Sequence, residues 1–350
     1  MKKSLFALSL LGASGLATAQ SSMTLFGIID VGLAHVSGSN GSLTGMTSSG
    51  RNFSRLGFRG REDLGDGLAA SFHLEGQVHT DGGSGNGTPS PFNFARRSTV
   101  SLSNKFGELR LGRDFAATWW NTNVFDPGGD GVGGSSLSAQ LGNAPGGIHG
   151  GLFARNSNAV SYFLPPGLGG LYGQVQHAFA ESTASSNGNY NGLRLGFNAG
   201  KWNIAAAVGR HSTGNNTAGA RLASANLGGF YDFDVAKLSF IWAREKATAA
   251  AVATEQTGWL LGLTVPIGAG ELRAAYSSYD RKRSRDDFSK LMLGYGYHLS
   301  KRTEIYGTYA RLDNKGGTAH MVSSAGLDTQ GLNGPGGLAK GVEAGIRHAF

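Results

Sequence analysis

Cysteine is absent from the 350 residues, which excludes a disulfide framework and any chemistry that needs a thiolate. Beyond the N-terminal segment the chain also lacks an apolar run near the 18 residues or more that a spanning helix requires. The closest, Ile204-Ala205-Ala206-Ala207-Val208, is broken at Gly209-Arg210. If this chain enters a membrane, it must do so as strands. The strings of common enzyme sites are missing too: there is no GxSxG, Walker A or HExxH, and the 9 His are scattered without ligand spacing. Gly129-Asp130-Gly131-Val132-Gly133-Gly134 matches a dinucleotide pattern formally, yet it lies deep in a Gly- and Ser-rich stretch with no βαβ context. It reads as a flexible loop. Proline is only 8, whereas glycine is 58 of 350, well over twice an average share of about 7%. Those glycines suit tight turns and closely approaching strands.

The first residues are present for another purpose. Met1-Lys2-Lys3, then Leu5-Phe6-Ala7-Leu8-Ser9-Leu10-Leu11, then Ala17-Thr18-Ala19 give a basic region, a short apolar region and a small-x-small cleavage site. We expect residues 1–19 to be a signal peptide and 20–350 to be a single domain without internal repeat. Cleavage leaves 331 residues and lowers the formal charge from +8 to +6, because Lys2 and Lys3 are lost. An anchored helix is the alternative, but the apolar stretch is too short to span.

Eight long stretches rich in Gly, Ser, Asn and charge fall at about 34–50, 80–93, 116–154, 181–189, 212–222, 246–256, 280–287 and 313–338. Seven short breaks alternate with them, at 62–67, 104–107, 165–170, 199–201, 231–234, 266–270 and 299–302, each fit for a tight turn. Fifteen connections join sixteen strands. The segments between alternate, with Leu193-Leu195-Phe197 offset from Arg194-Gly196-Asn198 and Leu291-Leu293-Tyr295-Tyr297 offset from Met292-Gly294-Gly296-His298. Their length of about ten residues suits a tilted membrane strand. Trp202, Tyr231, Trp242, Trp259, Tyr276, Tyr295, Tyr297 and Tyr306 fall near segment ends or on the apolar register, where an interfacial belt places them. The last segment alternates Val342, Ala344 and Ile346 on one face and ends on Phe350. Alternate long and short connections argue against a β-sandwich, and the fold expected is an all-β, 16-stranded antiparallel transmembrane β-barrel.

Arginines at particular registers are the candidate functional residues. In Ser54-Arg55-Leu56-Gly57-Phe58-Arg59-Gly60-Arg61, Leu56 and Phe58 share one face, which puts Arg55, Arg59 and Arg61 on the other. A guanidinium on the lipid face near mid-bilayer costs about 2–4 kcal/mol, so the lumen is the better address. In Phe94-Ala95-Arg96-Arg97-Ser98 the adjacent arginines are expected to point opposite ways, one to the lumen and the other to a headgroup, a turn or a neighbouring subunit. Arg281-Lys282-Arg283-Ser284-Arg285-Asp286-Asp287 is most simply an exposed loop, open to lipopolysaccharide rather than nucleic acid.

The chain resembles the Gram-negative general porins. The motifs that carry this are Thr24-Leu25-Phe26-Gly27-Ile28-Ile29-Asp30, Arg55-Leu56-Gly57-Phe58-Arg59-Gly60 with its turn at Glu62-Asp63-Leu64-Gly65-Asp66-Gly67, Phe106-Gly107-Glu108-Leu109-Arg110-Leu111-Gly112-Arg113, Arg155-Asn156-Ser157-Asn158 and Phe350, in that order over the mature chain. The resemblance implies a trimer of barrels, each narrowed by an inward-folded third loop, with wall arginines facing loop acids. By motif the wall arginines are Arg55, Arg59, Arg96 and Arg155, and the loop acids are Asp126 and Asp130. Asp126-Pro127-Gly128-Gly129-Asp130 is also ordinary turn chemistry. Phe350 matches the family's assembly signal. The function implied is passive diffusion of small hydrophilic solutes and ions across the outer membrane, with anions preferred, no cofactor and no catalysis. Lipopolysaccharide and outer-membrane lipid are the expected surroundings. The alternatives are a substrate-selective channel of the same architecture and an outer-membrane barrel hydrolase. A purely structural barrel would need its lumen filled by side chains, and sixteen strands are too many for that.

Overall fold

The structure, a computed structural model, describes residues 22–85, 91–132, 143–144, 148–149, 154–183, 186–212, 220–249, 252–322 and 326–350. The expected signal peptide lies outside them. From the N-terminus come β1 (Ser22–Gly38), β2 (Gly41–Ser48), β3 (Arg55–Gly65), β4 (Leu68–Gln77), β5 (Arg97–Asn104), β6 (Gly107–Phe115) and helix α1 (Ala117–Val124). Two short segments, β7 (Asn143–Ala144) and β8 (Ile148–His149), pair only with each other. Then follow β9 (Arg155–Phe163), β10 (Leu171–Ala178), β11 (Tyr190–Asn198), β12 (Trp202–Ser212), β13 (Arg221–Asp232) and β14 (Lys237–Ala249). The chain continues through β15 (Val252–Ile267), β16 (Gly270–Arg281), β17 (Phe288–His298), β18 (Thr303–Asn314) and β19 (Leu338–Ala349).

From β3 onward each wall strand pairs antiparallel with the next, β6 with β9, and β19 returns to pair with β1 from Ile28↔Ala349 to Ser37↔Lys340. No edge is left, which is how a sheet survives in hydrocarbon. The segments β2 and β3 share one place in the wall, since β1 pairs with β2 along Val31–Gly38 and with β3 along Ser22–Ile28. With β7 and β8 outside the wall, the barrel has sixteen strands, as expected.

Alternation decides the two faces. On β17 Leu291, Leu293, Tyr295 and Tyr297 are exposed on the outside while Lys290 and Met292 are buried within. Trp202, Tyr231, Trp242, Trp259 and Tyr276 are likewise exposed. Tyr306 is a correction to the expected belt: it is 5% exposed and its hydroxyl donates to Asp30 Oδ1 at 2.7 Å. Ile305, Gly307 and Tyr309 hold the outward register on β18, so Tyr306 must face inward, and there a phenol needs an acceptor.

Two expected loops are mostly strand. In place of a loop at 34–50, β1 and β2 form a hairpin that turns at Ser39-Asn40, and the region 246–256 is largely taken up by β14 and β15. Serine and threonine continue the ladder there without apolar alternation. The interior core also sits within the barrel. Val36, Ile241, Leu260, Met292 and Leu312 on the inner wall pack with Phe125 and Val132 of the third loop and Val322 of the last.

Candidate functional site

The lumen is shaped first by a break in one strand. Between β2 and β3 the chain leaves the ladder at Ser49, whose φ is 74°. Asp30 holds the excursion: its Oδ2 accepts from the N–H groups of Arg51 at 2.7 Å and Asn52 at 2.8 Å, and Ser49 N–H donates to its backbone carbonyl. Arg51 and Phe53 are thereby turned into the lumen. Arg51 then reaches Glu271 across it at 3.1 Å.

The third loop is shaped by contacts to the inner wall. In α1, Asn121 Nδ2 donates to Ala205 O at 3.1 Å and Asn226 Oδ1 at 3.0 Å, while its Oδ1 accepts from Arg194 Nε at 2.7 Å. All its amide groups are satisfied, so the helix is fixed against β11, β12 and β13. Phe125 lies where a side chain at Gly228 would stand. Farther on, Gly131 N–H donates to Gly50 O, and Val132 N–H donates to Glu343 Oε2, each at 2.8 Å. The segment 117–132 therefore follows the wall from β11 round to β19. It leaves open the side of the lumen lined by β3–β6 and β9.

That open side carries the arginines. Arg96 Nε donates to Glu75 Oε1 at 2.6 Å and its guanidinium lies 4.8 Å from the Phe53 ring centroid. Arg55 approaches the other Glu75 oxygen at 3.8 Å. Arg155 donates from Nε to the Arg96 carbonyl at 2.8 Å and covers Phe115 at 4.4 Å. Arg59, over Phe26 at 5.2 Å, lines with Arg61, Arg97 and Arg110 a recess of about 320 Å³ on the side of the short turns. Arg97 and Arg110 are both within ion-pair distance of Asp114, at 3.6 and 2.6 Å.

The expected opposition of Arg96 and Arg97 is therefore corrected. Arg97 shares its face with Thr99 and Ser101, which are buried on the lumen side, while Arg96 precedes β5 and is free of its alternation. Both reach inner-wall carboxylates. Asp130 Oδ2 accepts from Phe53 N–H at 2.9 Å, and Asp126 Oδ1 caps its own turn through Gly128 N–H at 2.8 Å. Among the described residues neither aspartate is ion-paired with Arg55, Arg59, Arg96 or Arg155. Burial pushes both carboxyls up to about 6, opposed for Asp130 by the charge of Arg96 and the Phe53 N–H, and for Asp126 by the Gly128 N–H and Lys290.

Sequence reasoning missed Glu75, which joins Arg55 to Arg96, and the wall anchors Asp30, Asn121 and Glu343. Each forms its bond to a residue at least twenty positions away. Arg97 and Arg110 could have been found, since Thr99 and Ser101 on one side, and Leu109 and Leu111 on the other, give their register.

A family model described as Gram-negative porin matches residues 5–317. The chain belongs to that family. This porin is 39% identical to outer membrane porin protein 32 of Delftia acidovorans over the full length of both chains. It is 31% identical to an outer membrane porin protein of Bordetella pertussis, over 89% of its own length and 94% of that protein's. Among solved structures, the anion-selective porin from Comamonas acidovorans matches with a TM-score of 0.84 and 35% identity, covering 94% of this porin and all of the other. The porin is thus a passive outer-membrane channel rather than an enzyme.

Proposed function

We propose that the channel passes small hydrophilic solutes with a preference for anions, and that Arg55, Arg59, Arg96 and Arg155 form one side of its constriction. The observation that carries this is an excess of positive charge on the side of the lumen lined by β3–β6 and β9. Seven guanidinium groups there, those of Arg55, Arg59, Arg61, Arg96, Arg97, Arg110 and Arg155, stand with three wall carboxylates, Glu75, Glu108 and Asp114, whereas Glu271 and Glu304 on the opposite side are matched by Arg51, Arg273 and Arg347. Asp126 and Asp130 on the third loop bring the acids to five, still short of balance. Fixed charge of one sign in a narrow pore with low-dielectric walls enriches the opposite ion. The relative from Comamonas acidovorans is itself described as anion-selective, which agrees with this reading.

The working form is a homotrimer in outer-membrane lipid and lipopolysaccharide, reached after removal of residues 1–19, with Phe350 as part of the assembly signal. The full-length match to a curated outer-membrane porin supports an exported chain. A planar-bilayer recording under a tenfold potassium chloride gradient tests the selectivity directly. A reversal potential of anionic sign is expected, and a cationic sign would sink the proposal. Steep block by one organic anion at low concentration would instead favour a substrate-selective channel.

A further inference from the structure

The arginines of this lumen are stacked on rings. Arg59, Arg96, Arg110 and Arg155 each lie over one aromatic side chain, whereas Arg194 on β11 has two, its guanidinium standing 4.9 Å from the Tyr172 ring centroid and 5.9 Å from that of Trp120. Leu193 and Leu195 hold the outward register of β11, so Arg194 at the middle of the strand faces inward, between Gln174 of β10 and Ala207 of β12. Two steps along the same face, Gly196 leaves room: the Tyr172 ring occupies the space that a Cβ there would need. The Tyr172 hydroxyl reaches past β11 to donate to Asn203 Oδ1 at 2.7 Å, which spreads the ring across the wall. Trp120 comes from the other direction, carried by helix α1 and backed by the Phe115 ring at 5.0 Å. Both rings are only half-buried.

Arg194 also differs from the other arginines in its polar partners. Arg96 and Arg110 hold the carboxylates of Glu75 and Asp114, each at 2.6 Å. Arg194 gives its Nε–H to Asn121 Oδ1 at 2.7 Å, and among the described residues no carboxylate lies within ion-pair distance of it. The described inward side chains of β9–β13 carry one acid, Asp232 at the short-turn end, and Lys237 is within 3.6 Å of that. Gln174, beside Arg194, is 3% exposed and neither atom of its amide is hydrogen-bonded within the protein, so it does not draw the guanidinium toward the wall. The Nη edge of Arg194 is thus left for a solute, with the orientation of its plane set by Asn121.

We propose that Arg194, Tyr172 and Trp120 form a binding site for small aromatic carboxylates on the lumen wall beside helix α1. The carboxylate accepts from the Nη groups, a bidentate geometry that the planar fork suits, and the attached ring packs against the rings that flank the guanidinium. An aliphatic carboxylate keeps the first contact and loses the second. Because α1 takes up part of the lumen at this level, a bound solute hinders the ions that pass it. The site rests on a lumen that admits anions, while its choice between aromatic and aliphatic solutes of equal charge is independent of ion selectivity.

The test uses the purified full-length porin in planar bilayers, with the potassium chloride current followed as benzoate or cyclohexanecarboxylate is added. These probes match in charge and nearly in size. The wild type is expected to be half-blocked by benzoate at a concentration roughly fivefold below that for cyclohexanecarboxylate, the factor that aromatic packing supplies. Trp120→Leu and Tyr172→Leu should each cut that ratio about twofold and together abolish it. Tyr172→Phe, which keeps the ring and drops the bond to Asn203, should preserve the ratio. R194Q should weaken block by both acids roughly tenfold. Equal block by the two acids in the wild type, a ratio that survives the double leucine variant, or block that survives R194Q would overturn the site. If Trp120→Leu loosens α1 and alters the open conductance, the comparison of Tyr172→Leu with Tyr172→Phe is the deciding one, since Tyr172 belongs to the wall. A reversal potential of cationic sign would sink the anion preference and leave this comparison intact, because both probes carry one negative charge.

Discussion

At the scale of single residues, the proposed constriction is a set of charges whose effects differ by what surrounds them. A unit charge about 8 Å from a passing ion in water-like surroundings is worth about 0.5 kcal/mol, favourable for an anion and unfavourable for a cation, so Arg55→Ala or Arg155→Ala should each lower the anion-to-cation permeability ratio by up to roughly fivefold. Reversal potentials unchanged in both variants would place these side chains away from the ion path. Asp126 and Asp130 act in the opposite direction. Their carboxyls are pushed up to about 6, so they are charged above that pH and neutral below it. Protonation removes negative charge that repels anions. Anion preference should therefore rise as pH falls from 8 to 5, and D126N/D130N should already show at pH 8 most of the preference that the wild type gains by pH 5. The lumen side of Arg55 and Arg59 was legible in the sequence because Leu56 and Phe58 fix one register, and that of Arg155 because Arg-Asn-Ser-Asn matches a family motif. The Glu75 bond to Arg96 was not, since it depends on how the chain before β5 lies across β4.

Among the elements, the third loop is held by a few shape-dependent contacts. A Cβ added at Gly228 would stand 2.5 Å from the Phe125 ring, so Gly228→Ala should displace the loop at a cost of about 1–3 kcal/mol while the barrel still forms. We expect altered single-channel conductance with normal heat-modifiable migration; wild-type conductance would show that Phe125 does not set the loop's position. Asn121→Ala leaves Arg194 Nε, the Ala205 carbonyl and Asn226 Oδ1 short of a partner, a loss of about 1–3 kcal/mol each where they stay dry. Its expected signature is rapid current flicker from a loosened helix. The short turns were all found, six of them from Gly, Asn or Asp and the one at 299–302 from Ser300 beside Lys301 and Arg302, because tight turns favour such residues. The first hairpin was missed for the same reason: Ser37-Gly38-Ser39-Asn40-Gly41 looks like loop, yet only Ser39-Asn40 turns and the polar residues beside it belong to strands. The inner course of the third loop came from family resemblance alone, as its anchors on β12, β13 and β19 lie 84 to 211 residues away.

For the whole molecule, closure and net charge are the relevant properties. Phe350 exchanges two backbone hydrogen bonds of 3.1 Å with Gly27, and its ring occupies the space that a side chain at Gly27 would need. Removing Phe350 takes away the last rung of the seam, and we expect outer-membrane insertion to fall more than export; trimers at normal yield would contradict this. The chain as a whole carries a formal charge of +8. Unpaired lumen cations act on ions over the Debye length, about 10 Å at 0.1 M salt and about 3 Å at 1 M. If anion preference arises from this field, the permeability ratio should fall toward that of bulk water as mean salt is raised across that range. The Arg55→Ala and Arg155→Ala variants should start lower and converge with the wild type at 1 M. Selectivity measured at constant gradient and increasing mean salt checks both statements. A ratio that held steady to 1 M would mean that anions are selected by direct contact with the arginines, and the general diffusion pore would have to give way to a channel with a defined substrate site.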